Sequence, residues 1–174
     1  MKRNGLRLLS HYTLRCPVPS DAERCHAIET TAYEGDEAAT LEKIARRIES
    51  YPEGFMVLET ADGVIGFINS ASTDTVRMAD EGFKDLLGHD PAGRHNVVLS
   101  VVVHPDFQGL GIAAILMHNH ILRMRRLGKA SIQLMCRERH VGLYEKFGFV
   151  YLRESASTHG GLTWHEMALE LSKE

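Results

Sequence analysis

The chain has 174 residues, enough for one domain with a sizeable core and short for two. Hydrophobic residues make up 44% and charged residues 25%, the balance of a globular protein rather than a disordered one. A net charge of -3 with no densely basic stretch argues against nucleic acid as the main partner. No apolar run approaches the ~20 residues of a membrane span. The basic start (Lys2, Arg3, Arg7) is not followed by the apolar core of a secretory signal. Cys16, Cys25 and Cys136 are odd in number and far apart, which reads as reduced thiols in a cytoplasmic protein.

Residues 1–10 read as a leader and 11–174 as a single domain. Tyr12, Leu14 and Cys16 alternate with polar residues as a half-buried strand does, and Pro17 and Pro19 end it. Ser20 to Glu23 form a capping-box pattern opening a helix whose buried face holds Cys25, Ile28 and Ala32. Leu41, Ile44, Ala45 and Ile48 mark a second helix, stopped by YPEG at 51–54. FMVLET (55–60) and VIGFINS (64–70) flank an Asp62-Gly63 turn and predict a hairpin. Residues 71–95 are polar and irregular, with one short helix near Asp80 to Leu87. VVLSVVV (97–103) is apolar throughout, as in a central strand buried on both faces. A long helix runs from about Gly111 to Leu127, closed by Gly128. SIQLMC (131–136) is a strand and HVGLYEKF (140–147) a short helix ended by Gly148. FVYLRE (149–154) and TWHEMALEL (163–171) are the last strands, split by SASTHGG. The order β-α-α-β-β-β-α-β-α-β-β predicts an α/β domain on a mixed sheet.

The stretch VHPDFQGLGIAA (103–114) joins a strand, a glycine turn and a helix N-terminus, a setting that binds phosphate. An ATP or GTP loop requires a lysine after the second glycine, and none follows Gly111. Gly109, Gly111 and Ala114 fit a dinucleotide fingerprint. However, His104 to Gln108 separate them from the strand, and no acidic residue ends the next strand at the required distance. The third reading is Gln-x-x-Gly-x-Ala, with Gln108, Gly111 and Ala113. Its main-chain N–H groups from 109 to 114 form an anion nest that needs no lysine. A plain strand-to-helix turn with convenient glycines remains the bland alternative.

This pattern, joined by YEKFGF (144–149) downstream, resembles the two signatures of the GNAT superfamily of acyl-CoA-dependent N-acetyltransferases. YTLRCPVPSDAERCHAIETTAY, LMCRERHVGLYEKFGF and HGGLTWHEM extend the resemblance over most of the chain, toward the arylalkylamine N-acetyltransferase branch. The resemblance implies a GNAT fold over 11–174, in which a central mixed, splayed β-sheet is flanked by helices. Acetyl-CoA is then the co-substrate, and no metal is expected. Val101, Val102 and Val103 would hold the pantetheine arm. Gln108, Gly109, Leu110, Gly111, Ile112, Ala113 and Ala114 would hold the pyrophosphate, with Arg137 nearby. Tyr144 matches the tyrosine that protonates the departing thiolate.

Two histidines on the central strand relay the amine's proton in the arylalkylamine branch. Their positions fall on Val97 and Leu99, so the base does not carry over. His95, His159 and Glu34 are the nearby candidates, and ordered water is another. His104 caps the strand and packs locally. The acceptor walls would be Tyr33 to Glu37, Asn69 to His95 and Ser155 to Trp164, with Tyr33, Glu34, Asn69 and His159 as acceptor-binding residues. The expected reaction is acetyl transfer to a primary amine, small rather than macromolecular, by direct attack in a ternary complex. A protein or peptide N-terminus as acceptor, and a non-catalytic acyl-CoA sensor, are the alternatives. A homodimer is compatible with the resemblance.

Overall fold

The computed structural model describes residues 11–33 and 35–171, so the expected leader over 1–10 lies outside the described residues. Seven strands form one sheet: β1 (Thr13–Arg15), β2 (Phe55–Thr60), β3 (Gly63–Thr73), β4 (His95–Val103), β5 (Ser131–Cys136), β6 (Val150–Glu154) and β7 (His165–Glu170). Their order across the sheet is β1-β2-β3-β4-β5-β7-β6. Only the β4–β5 pair is parallel; the others run antiparallel. The mixed sheet expected from the sequence is therefore present.

Helices α1 (Ala22–Ala32) and α2 (Leu41–Ser50) cover one face. There Cys25, Ile28, Ile44 and Ile48 pack on Phe55, Val57, Phe67 and Val102 in one core cluster. Helix α3 (Glu81–Lys84) lies in the β3–β4 connection, inside the span expected for it. Helix α4 (Ile112–Arg126) covers the opposite face, where Ile112, Leu116, Met117, Ile121 and Met124 meet Ile65, Ile68, Val98 and Ile132. Helix α5 (Val141–Glu145) packs its Val141 and Tyr144 against that second cluster. Seventeen fully or nearly buried residues form this larger cluster, so the α4 face carries most of the core.

Two local expectations change. Strand β3 runs three residues past Ser70, because Ala71, Ser72 and Thr73 pair with Val97, Asn96 and His95. The capping box on Ser20 and Glu23 does not form. Pro19 opens a 3-10 turn over Pro19–Asp21, and the Asp21 carboxylate accepts from the Val18 N–H at 2.7 Å. Arg15 holds that carboxylate at 2.7 and 3.0 Å while reaching Glu59 at 2.9 Å. A charged acceptor already pinned to the sheet edge thus wins the helix start over a serine hydroxyl.

Candidate active site

The parallel ladder between β4 and β5 is only three residues long: His95↔Ser131, Asn96↔Ile132 and Val97↔Gln133. Beyond it the strands diverge. On its other side β4 stays paired with β3, but with a bulge: Asn69 faces Ser100, Ser70 faces Val98, and Leu99 is the extra residue. A bulge re-aims the side chains around it. A cavity of about 120 Å³ opens where the strands part. Val97 to Val101 and Leu134 to Cys136 line it, with Glu29 of α1, Tyr33 at the C-cap of that helix and Tyr144 of α5. The β3–β4 connection contributes Arg77, Asp80 and Lys84, and the β6–β7 loop His159 and Trp164.

His159 ties the outer walls together. Its Nδ1 lies 3.1 Å from Glu81 Oε2 and its Nε2 3.5 Å from the Glu37 carbonyl. The Trp164 indole donates to the His159 carbonyl at 2.9 Å. Arg137 stands 6.0 Å from the centre of the Trp164 ring. Both of His159's nitrogens face acceptors, so the ring acts as a latch between three loops. The other histidines considered are spent elsewhere. His95 is bound to Ser131 Oγ at 2.7 Å and does not line the cavity. His104 caps its turn by accepting from the Asp106 N–H at 3.1 Å and packs edge-on against Phe107, as expected.

Tyr33 and Tyr144 both lie on the cavity. The Tyr33 hydroxyl donates to the Val101 carbonyl at 3.0 Å, binding α1 to the diverging strand. Tyr144 packs edge-on against Phe149, with centroids 5.8 Å apart. Burial pushes both phenols up, so each stays protonated.

Glu29 is the group the sequence reading passed over. It is 2% exposed on α1, one turn before Tyr33. Its Oε1 accepts from the Ala39 N–H at 2.8 Å, while Oε2 has no partner among the described residues. Burial raises its pKa, and the Ala39 hydrogen bond and nearby cations oppose that. The signal was present: an acid one position after Ile28 and four after Cys25 sits on the helix's apolar face. Glu34, chosen instead, lies outside the described residues. Lys84 also faces the cavity, its amine pushed down to about 8, chiefly by burial.

Asn69 is fully buried and does not line the cavity; its cross-strand neighbour Ser100 does. The family resemblance puts Asn69 at the start of the β3–β4 wall of the acceptor pocket, but β3 runs on to Thr73 and keeps Asn69 inside the sheet. It is covered instead by Arg47 of α2, whose Nη1 donates to Asn69 Oδ1 at 3.3 Å.

The glycine turn sits at the far end of β4. Gly109 and Gly111 have φ of 77° and 81°, in the left-handed region that side chains resist. Gly111 is the N-cap of α4. A Cβ at either glycine would meet nothing within 4 Å, so conformation rather than crowding calls for glycine here. Gln108 donates from Nε2 to the Val103 carbonyl at 3.1 Å, fastening the turn to the strand end. Leu110 lies between the two glycines, and Ala113 and Ala114 follow in the first helical turn. Their N–H groups face the start of a 15-residue helix, where main-chain donors and the helix dipole suit an anion. Val102, Val103 and Ile112 are buried in the two core clusters and can offer a ligand only their backbone.

Among the described residues, no His, Cys, Asp and Glu gather in a metal-binding group, and no helix is long and apolar enough to cross a membrane.

A parallel pair that parts after three residues, a glycine turn opening a helix at the strand end and a tyrosine on the gap are the features of this site. The acetyltransferase (GNAT) family matches residues 22–149, and the chain belongs to that family. A curated relative, serotonin N-acetyltransferase of Mesocricetus auratus, is 30% identical over 162 residues, covering 90% of this chain and 76% of that protein. Among solved structures, the loading GNATL domain of CurA from Lyngbya majuscula superposes with a TM-score of 0.83 at 18% identity, covering 92% of this chain and 98% of that one. The GphF GNAT-like decarboxylase in complex with isobutyryl-CoA gives a TM-score of 0.81 at 16% identity, covering 92% of this chain and 100% of that one. These two likenesses establish the fold and nothing finer.

Proposed function

We propose that the protein transfers the acetyl group of acetyl-CoA to the primary amine of a small molecule, by direct attack within a ternary complex. One observation carries this reading: Glu29 and Tyr144, a carboxyl and a phenol, flank the same cavity where β4 and β5 part. The β4 backbone at 101–103 would hold the pantetheine arm, and the nest at 109–114 the pyrophosphate. Arg137 would stand beside the cofactor.

Glu29, which lines the cavity and has an unpartnered carboxyl oxygen, suits the proton-accepting role that Val97 and Leu99 cannot fill. The amine nitrogen forms a bond to the acyl carbon and gives one proton to the Glu29 carboxylate. The C–S bond then breaks, and Tyr144 supplies a proton to sulfur. Free thiols have a pKa of ~8.5. A phenol held protonated by burial is the weaker acid, so Tyr144 donates only as charge builds on sulfur. It regains its proton from the one held at Glu29 by way of cavity water. The products are an acetamide and CoA thiol. The latch through His159 roofs the cavity, which favours a small acceptor over a peptide.

Free-thiol release from acetyl-CoA across a panel of amines and peptides tests this. Turnover with a small amine, lowered ~10²-fold or more in kcat by Tyr144→Phe, is the expected outcome. Acetyl-CoA binding without turnover on any acceptor would favour the sensor, and turnover on peptides alone would favour the macromolecular acceptor.

A further inference from the structure

Arg47, Asn69 and Ser100 form a chain of hydrogen bonds whose direction is fixed at one end. Arg47 is 4% exposed. A guanidinium can only donate. Its Nη2 gives a hydrogen to the Lys84 carbonyl at 3.0 Å and its Nη1 one to Asn69 at 3.3 Å. The Asn69 atom facing it must therefore be Oδ1. That choice forces Nδ2 toward Ser100, where it donates to Oγ at 3.1 Å. The amide cannot be turned over, because its NH2 would then confront the guanidinium.

The consequence passes to Ser100. Its oxygen is already an acceptor, so its single hydrogen must be given to something else. No protein acceptor for it exists among the described residues. Ser100 lines the cavity at the β4 bulge, one residue before Val101. The cavity thus holds a hydrogen-bond donor at the end of a chain that begins on a buried cation. Such a chain polarises toward its terminus and suits an acceptor on which negative charge develops. It does not suit the attacking amine, whose lone pair must stay free.

We infer that the Ser100 hydroxyl donates to the acyl oxygen of the bound thioester, with Asn69 and Arg47 as positioning residues that set its direction. This rests on the acetyl-transfer reading above and adds a side-chain oxyanion donor to it. As the amine attacks, the carbonyl π pair moves onto oxygen and the Ser100 O–H shortens its hydrogen bond to it. The pair returns when the C–S bond breaks, and no proton leaves Ser100.

Asn69→Asp separates this role from packing. The carboxylate keeps its partner Arg47 but offers Ser100 an acceptor in place of a donor, so the serine hydrogen turns inward. The experiment binds [1-13C]acetyl-CoA to the full chain and reads the carbonyl 13C shift, alongside kcat and KM with any amine that turns over. The wild-type shift is expected downfield of free acetyl-CoA. Ser100→Ala and Asn69→Asp should both return it toward the free value, and Ser100→Thr should keep it. Both disabling variants should lower kcat at least tenfold with KM for acetyl-CoA little changed, and the double variant should be no worse than either alone.

A downfield shift that survives in Ser100→Ala would overturn the inference and leave acetyl transfer standing. So would a higher KM for the amine at unchanged kcat. No acetyl-CoA binding by the wild type would overturn both.

Discussion

In the proposed mechanism Glu29 would serve catalysis at a cost to stability. Its carboxyl pKa is raised by burial above the ordinary 4.5, so the folded chain holds that proton more tightly than the unfolded one. Stability from this group is complete at acid pH and is lost as pH rises from about 4.5 through the raised value. Glu29→Gln keeps an oxygen for the Ala39 N–H and removes the charge. It should lower kcat by ~10²-fold or more. Its urea midpoint should gain on wild type as pH goes from 5 to 8. Thiol-release kinetics and denaturation at several pH values check both halves, and unchanged turnover would remove Glu29 from the mechanism. The residue scale is where the sequence was least legible. Tyr144 was singled out because a motif surrounds it, and it lines the cavity. Glu29, Ser100 and Arg47 belong to no motif, and their meaning comes from neighbours 10 to 37 residues away.

Among elements, the contact of α4 with β3 sets the position of the proposed anion nest. Gly66 is a point of close approach. A Cβ there would lie 3.0 Å from the Val102 carbonyl oxygen, 3.2 Å from Ile112 Cγ2 and 3.4 Å from Leu116 Cδ1. Ile112 is the first residue of α4, directly after Gly111. Gly66→Ala should destabilise the fold by about 1–3 kcal/mol, because the helix must back away from the strand. It should also weaken CoA binding, since the nest moves with the helix. Urea denaturation and calorimetry with CoA would show whether the two losses appear together; full CoA affinity in a destabilised variant would uncouple them. Elements were the most legible scale, because hydrophobic period and glycine stops act locally. The longer β3 and the start of α1 were the exceptions; at the latter a salt link from Arg15, 44 residues in sequence from its other partner Glu59, decided which acid caps the turn.

At the scale of the molecule, the sheet has two parts: β1 to β4 on one side and β5 to β7 on the other. Three parallel residue pairs join them, together with the α4-side core. No local pattern announces such a junction. VVLSVVV reads as a strand buried on both faces, whereas Leu99, Ser100 and Val101 are only half-buried. The divergence entered the sequence reading only through family resemblance. A ligand that binds the folded chain alone stabilises it by about 2.7 kcal/mol at a hundred times its Kd. For a chain of this size each kcal/mol moves Tm by roughly 2–4 °C. Saturating CoA should therefore raise Tm by roughly 5–10 °C in differential scanning calorimetry; no shift would argue against the nest and the strand gap as a binding site.

The three-pair ladder also has a mechanical meaning. A sheet that stops zipping halfway leaves amide edges of β4 and β5 facing each other with no strand between them. The pantetheine arm, carrying its own amides, has the chemistry of a short peptide laid into that gap. The protein would then complete its own sheet only while loaded, with the co-substrate as a removable strand. Hydrogen exchange at the gap-facing amides of 98–103 should be fast in the free protein and slow with CoA bound. The same measurement would show the two halves shifting from loosely to tightly coupled units with each cycle of loading and release.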